Sequence, residues 1–87
     1  MKKKKAPTKL QSERMHVKKR FSERFGLSVN RHLLRDFISQ IQSQKAIFVE
    51  RQSLRLTVWE ISYENNWYRV IYDNKRKTLV TVLPKQE

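Results

Sequence analysis

The chain has no cysteine, one glycine and two prolines in 87 residues, and only 8 acidic residues against 20 lysines and arginines. Without cysteine there is no disulfide staple, no thiolate zinc site and no cysteine nucleophile. With Gly26 as the sole glycine, a glycine-rich phosphate loop is excluded. No apolar run approaches the ~20 residues that a membrane-spanning helix needs. Asp36 and Asp73 stand isolated, and no spacing of Asp, Glu or His suits a zinc or two-magnesium centre. Neither metal nor cofactor is expected, and a metal-dependent nuclease is disfavoured.

What is present is positive charge. The formal charge is +12, and five lysines (Lys2 to Lys5 and Lys9) fall within the first nine residues. Setting those five aside leaves 15 basic against 8 acidic residues, so the body alone carries +7. Such an imbalance favours polyanions, because each neutralised phosphate releases condensed counterions. A nucleic acid is the commonest partner of this kind, with an acidic protein or an anionic membrane as alternatives. The lysine cluster is not followed by an apolar signal segment, so a cytoplasmic location is expected. Residues 1–8 read as a basic arm and 9–87 as one small domain.

Hydrophobic periodicity gives the element order. Thr8 and Gln11 form a candidate capping box, and Leu10, Val17 and Phe21 share a helical face with Phe25 at its margin. Gly26 follows where a C-cap belongs, so a first helix is expected near 9–25. Ser28 or Asn30 caps a second helix whose apolar stripe is Leu33, Leu34, Phe37, Ile38 and Ile41.

Strand patterns follow. Ile47 to Val49 open a short β-prone stretch before Glu50-Arg51-Gln52-Ser53 breaks the apolar pattern. Leu54, Leu56 and Val58 alternate on one parity while Trp59, Ile61 and Tyr63 take the other, which predicts a bulge or strong coil near Val58 and Trp59. Asn65-Asn66 suits a tight turn, Trp67–Tyr72 the next strand, Asp73 to Arg76 another turn, and Lys77–Leu83 a last strand closed by Pro84. The expected fold is α+β: two N-terminal helices packed on a twisted, mainly antiparallel four-stranded sheet in the order α-α-β-β-β-β. One sheet face should carry the helices and the other meet solvent or ligand.

The candidate chemistry begins on the first helix. His16, Arg20 and Arg24 recur every four residues, a line that curls along the edge of the apolar stripe. An imidazole can accept a proton near neutral pH and a guanidinium can hold a phosphate by two donors. That pairing suits attack by a ribose 2′-hydroxyl on its own phosphate. It equally suits a basic helix that only binds phosphate. His32 falls almost opposite its helix's apolar stripe, points to water and receives no catalytic role.

Strand residues extend the set. Arg51, Ser53 and Arg55 share a parity, where Arg51 could neutralise a phosphate and Ser53 donate to it; a charged edge strand would look the same. Arg69 alternates with Tyr68, Val70 and Tyr72, of which Tyr72 beside the turn is the more available. Thr81 is either a polar inclusion on a face with Leu79 and Leu83, or lies opposite a core side made by Val80 and Val82. Trp59 and Trp67 read first as sheet packing and second as a stacking platform.

Taken together, His16-Val17-Lys18-Lys19-Arg20, Glu23-Arg24-Phe25-Gly26-Leu27, Arg51-Gln52-Ser53, Tyr68 to Asp73 and Thr81-Val82-Leu83-Pro84 resemble a compact RelE/ParE-like member of the barnase–EndoU–colicin–RelE ribonuclease toxin superfamily. The resemblance spans about residues 10 to 84 and no single motif is diagnostic. It implies two helices on a four-stranded antiparallel sheet and metal-independent cleavage of RNA to a 2′,3′-cyclic phosphate. It also implies roles: His16 as acid or base, Arg20, Arg51 or Arg69 as phosphate clamps, and Tyr72 and Thr81 orienting the phosphate or assisting proton transfer. The catalytic set expected is thus His16, Arg20, Arg51, Tyr72 and Thr81, with Arg24, Ser53, Arg55 and Arg69 binding phosphate. Expected partners are RNA (tRNA, mRNA or rRNA) and an acidic antitoxin or immunity protein. The alternative is a non-catalytic RNA-binding module associated with a ribosome or polymerase.

Overall fold

The computed structural model describes residues 9–84; the basic arm at 1–8 and the side chains of the expected Thr8–Gln11 capping box and of Leu10 lie outside the described residues. Two helices, α1 (Lys9–Phe25) and α2 (Arg31–Gln42), precede four strands, β1 (Ile47–Arg51), β2 (Leu56–Tyr63), β3 (Asn66–Asp73) and β4 (Thr78–Val82). The strands form one antiparallel sheet in the order β1-β2-β3-β4. The α+β architecture with two N-terminal helices on a four-stranded antiparallel sheet is therefore the one the periodicities called for. None of the described helices is long and apolar enough to cross a membrane.

Both helices end as their local sequence dictates. Gly26 closes α1 with φ +61, and its amide donates to the Ser22 carbonyl at 2.9 Å. Asn30 caps α2, its side chain accepting from the Leu33 amide at 2.8 Å. At the other end of α2, Gln44 takes φ 63 where glycine is the usual choice. The Gln44 amide donates to Ile41 and the Lys45 amide to Gln40, which together make a Schellman cap.

The core lies between the helices and one face of the sheet. Val17 and Phe21 from α1 and Leu34, Phe37 and Ile41 from α2 meet Ile61, Tyr68, Val70, Tyr72, Leu79 and Val82. Phe21 is its centre: fully buried, its ring lies 5.5 Å from that of Phe37 and 5.7 Å from that of Tyr68. Burying one such aromatic contributes about 1.5–3 kcal/mol. On the sheet, Gln40 ties α2 to β2 by an amide that donates to the Ser62 carbonyl and accepts from the Ser62 amide. That pair satisfies β2 just beyond the last residue matched by β1, Glu60.

Register departs from the sequence expectation in three places. β2 runs unbroken against β3 from Leu56↔Asp73 to Tyr63↔Asn66, so it carries no bulge, and Leu54, expected on the face of Leu56 and Val58, instead lies exposed in the β1–β2 loop. The irregularity lies in β1, where Phe48 faces Trp59 and Glu50 faces Val58, leaving Val49 as the extra residue. The parity change in β2 arises because it is apolar on both faces there: Trp59 and Ile61 face the helices, and Val58, 1% exposed, faces the other way. The β2–β3 turn is Glu64-Asn65, with φ 50 and 64, so the pair sits one residue earlier than Asn65-Asn66.

The third departure settles the parity of β4. Tyr72 faces Leu79 whereas Ile71 faces Thr81, so Val80 is an inserted residue. That bulge places both Leu79 and Val82 in the core and turns Thr81 to the opposite face. Neither continuous alternation expected for β4 holds. Both bulges sit on edge strands, where they disrupt the flat ladder that would recruit another chain.

Candidate functional site

An α-helix turns about 100° per residue, which divides the surface of α1 into two flanks beside its buried Val17–Phe21 ridge. His16, Arg20 and Arg24 occupy one flank; Arg14 and Lys18 occupy the other. Arg24 donates to the carbonyl of Val82, so the first flank lies along the free edge of β4. Arg20 and His16 continue the same line one and two turns towards the N-terminus, about 6 and 12 Å along the axis.

Along this edge four of the expected residues fall into two contacting groups, His16 with Arg20 and Arg24 with Thr81 through the Val82 carbonyl. The Arg20 Nε–H points to the lone pair of His16 Nε2 at 3.5 Å, and Arg20 Nη1 approaches Glu23 Oε1 at 3.4 Å. His16 and Arg24 are exposed, and Arg20 is half-buried. Thr81 reaches the same place from the sheet: its hydroxyl donates to the Val82 carbonyl at 3.5 Å, the acceptor that Arg24 also uses.

The other candidates lie elsewhere. β1 is three strands from β4, about 14 Å across the sheet. There Arg51 Nη1 donates to the carbonyls of Leu54 at 2.9 Å and Ser53 at 3.4 Å, and the Ser53 hydroxyl accepts from the Leu56 amide at 3.1 Å. Both residues close the β1–β2 loop on itself. Arg55 holds Asp73 through Nε at 3.1 Å and Nη2 at 2.6 Å. Arg69, on the face away from the helices, pairs with Glu60 at 3.4 Å.

Tyr72, expected beside the turn and available, is instead 4% exposed beneath α2. Its hydroxyl accepts from Gln42 Nε2 at 3.2 Å. The register with Thr57 and Leu79 turns it to the helix side, so Tyr72 does not join His16 and Thr81. His32 is exposed, as its angle on α2 indicates. Trp59 packs edge-on against Phe48 and donates its indole N–H to Thr57, whereas Trp67 on the opposite face is 53% exposed.

Sequence reasoning passed over a second basic feature. Between α1 and α2 opens a cleft of about 280 Å³ floored by Val17, Leu34, Ile38, Thr78 and Leu79 and rimmed by Arg14, Lys18, Arg31 and Arg35. Among the described residues no acidic side chain lines it. The signal was present as two basic i,i+4 pairs, 14/18 and 31/35, each flanking an apolar core position. What the sequence lacked was the helix packing that turns the two pairs towards each other.

Among the described residues the most strongly engaged carboxylate is Asp73. Burial pushes its pKa upward, but the Arg55 hydrogen bonds and charge and the Arg76 and Lys75 amides outweigh burial and hold it below the usual carboxylate range. Its Oδ1 accepts from the Lys75 and Arg76 amides at 2.9 and 3.0 Å, so Asp73 builds the β3–β4 turn. Among the described residues no group of three or more His, Asp or Glu is placed to hold a metal ion. No protein-family model, curated protein or solved structure matches this chain.

Proposed function

We propose that this protein binds RNA, holding the sugar-phosphate backbone against α1. The observation that supports this best is the charge of that helix. Lys9, Arg14, Lys18, Lys19, Arg20 and Arg24 stand against Glu13 and Glu23 alone, and one weak ion pair, Arg20–Glu23, is formed among the described residues. Unneutralised cations on both flanks of one exposed helix repel each other in the free protein and gain by meeting phosphates. The decisive measurement is affinity for single-stranded RNA as a function of salt. A steep fall in log K with log [salt], of slope about −3 or beyond for four or more phosphates, is expected. Salt-independent binding, or none at 50 mM salt, overturns the proposal.

A second reading, metal-independent cleavage by 2′-hydroxyl attack, draws on the His16–Arg20–Arg24–Thr81 line at the α1–β4 edge. His16 would take the 2′-hydroxyl proton at Nε2 after a bound phosphate has drawn the Arg20 Nε–H off that lone pair and onto its own oxygens. Cleavage also asks for a group to protonate the leaving 5′-oxygen. Of the two residues the resemblance offers for assisting proton transfer, Tyr72 is buried against Gln42 and the Thr81 hydroxyl is a poor acid turned to the Val82 carbonyl, so binding is the leading reading. Incubating RNA with the protein in chelator separates them. Cyclic-phosphate ends lost in His16→Ala establish cleavage; intact RNA with binding retained leaves the binding module.

A further inference from the structure

We infer that the α1–α2 cleft is a nucleotide subsite in which the aliphatic floor takes a base and the four rim cations take its adjoining phosphates. The inference rests on the RNA-binding reading and goes beyond it by naming where a base enters. It concerns the flank of α1 facing away from the His16–Arg20–Arg24 edge.

Charge supplies the first argument. Arg14 and Lys18 on α1 face Arg31 and Arg35 on α2 across one narrow opening, and no ion pair of any of them is formed among the described residues. Like charges gathered around a partly enclosed, low-dielectric opening repel more strongly than charges spread over open surface. An anion placed between them removes that repulsion and gains attraction from both helices. Arg31, Arg35 and Arg14 are exposed and Lys18 half-buried, so their heads can reach a ligand without disturbing the core.

The floor supplies the second. Val17, Leu34, Ile38 and Leu79 give the bottom of the cleft its hydrocarbon, and Thr78 beside Leu79 adds one hydroxyl-bearing side chain. A bare phosphate or sulfate leaves the four aliphatic side chains of such a floor unused. A ligand with a flat apolar body and an anionic edge uses both parts, and a nucleotide has that chemistry. Arginine guanidinium planes also stack on bases, which suits the three arginines around the opening. At about 280 Å³ the cleft is at the small end of ligand sites and admits one base rather than two.

Continuity supplies the third. Lys19 lies on the outer crest of α1, diametrically away from the core ridge and between the two flanks. A strand held at the β4 edge by Arg20 can cross that crest and lower a base on the far side.

The test is an amide-resolved NMR titration of the full chain with three probes: a single-stranded oligoribonucleotide, an abasic strand of equal length, and a nucleoside monophosphate. The oligoribonucleotide is expected to move the amides of Leu34, Ile38 and Leu79, and the abasic strand is not. Arg31→Gln combined with Arg35→Gln should abolish those shifts and weaken binding on the order of tenfold, with the salt slope smaller by about 1.4. Its thermal unfolding midpoint should not fall and should rise slightly, since two of the four repelling charges are gone. Saturable shifts of the same amides by the monophosphate would support the subsite with a free nucleotide as its source. Cleft amides that respond equally to the abasic strand, or shifts confined to the His16–Arg24 flank, overturn the subsite while leaving RNA binding intact. Absence of binding by every probe overturns both.

Discussion

Arg24 and Thr81 donate to one acceptor, the Val82 carbonyl, so α1 is fastened to the free edge of β4 at the point where the candidate site begins. Arg24 therefore has a structural duty that Arg20 lacks. Replacing Arg24 by Met leaves that carbonyl with only the long contact from Thr81 and removes a charged donor, at a cost of about 1–2 kcal/mol. Replacing Arg20 by Met removes a surface pair worth at most about 0.5 kcal/mol. Urea unfolding should separate the two variants, whereas RNA affinity should fall in both.

Asp73 links two loops, receiving Arg55 from the β1–β2 loop and the amides of Lys75 and Arg76 from its own turn. The turn is further fixed by the Asn74 amide donating to the Arg55 carbonyl at 2.7 Å. Asp73→Ala strips an acceptor from two backbone amides and releases Arg55. Arg55 is 42% exposed and regains water, which limits the loss to about 2–3 kcal/mol. Asp73→Asn keeps one acceptor oxygen for the amides and should lose roughly half as much. Unfolding midpoints in urea for the two variants check the order.

The same residue sets an acid limb on stability. Its folded-state pKa is lowered, so its contribution is complete above the unfolded carboxylate value near ~3.9 and is lost as pH falls through the lower folded value. The stability gap between the parent chain and Asp73→Asn should be widest near neutral pH and shrink below about pH 4. A gap unchanged down to about pH 2 would mean that the ion pair and the turn amides do not favour the ionised form.

Much of this molecule was legible because its elements carry their own punctuation. Gly26, Asn30 and the stripe Leu34-Phe37-Ile41 each name a helix boundary or a buried face, and those readings needed no partner. β4 was not legible, since Val80 is an insertion visible only against β3. Tyr72 was misplaced for a related reason. Proximity to a turn suggests exposure, but its cross-strand neighbours Thr57 and Leu79 face the helices, and parity decides. At the site, His16, Arg20 and Arg24 were found together because four-residue spacing is local. Arg14, Lys18, Arg31 and Arg35 were missed because their meeting depends on how two helices splay over β4.

Left-handed backbone at residues with side chains offers the last test. Gln44 ends α2 at φ 63 and Lys77 ends the β3–β4 turn at φ 56, its amide donating to the Asp73 carbonyl at 2.7 Å. A side chain in that region brings Cβ against the carbonyl oxygen, at about 1–2 kcal/mol per residue, and glycine avoids the contact. Glycine's greater freedom in the unfolded chain offsets part of the gain. Gln44→Gly and Lys77→Gly should therefore each stabilise by about 0.5–1 kcal/mol, and their separation in the fold should make the effects additive. Gly26→Ala tests the converse. At φ +61 a methyl group there meets no atom within 4 Å, so any loss is backbone strain alone, about 1 kcal/mol. Thermal or urea midpoints for the three variants and the Gln44/Lys77 pair decide it: two upward shifts that sum, and one downward shift.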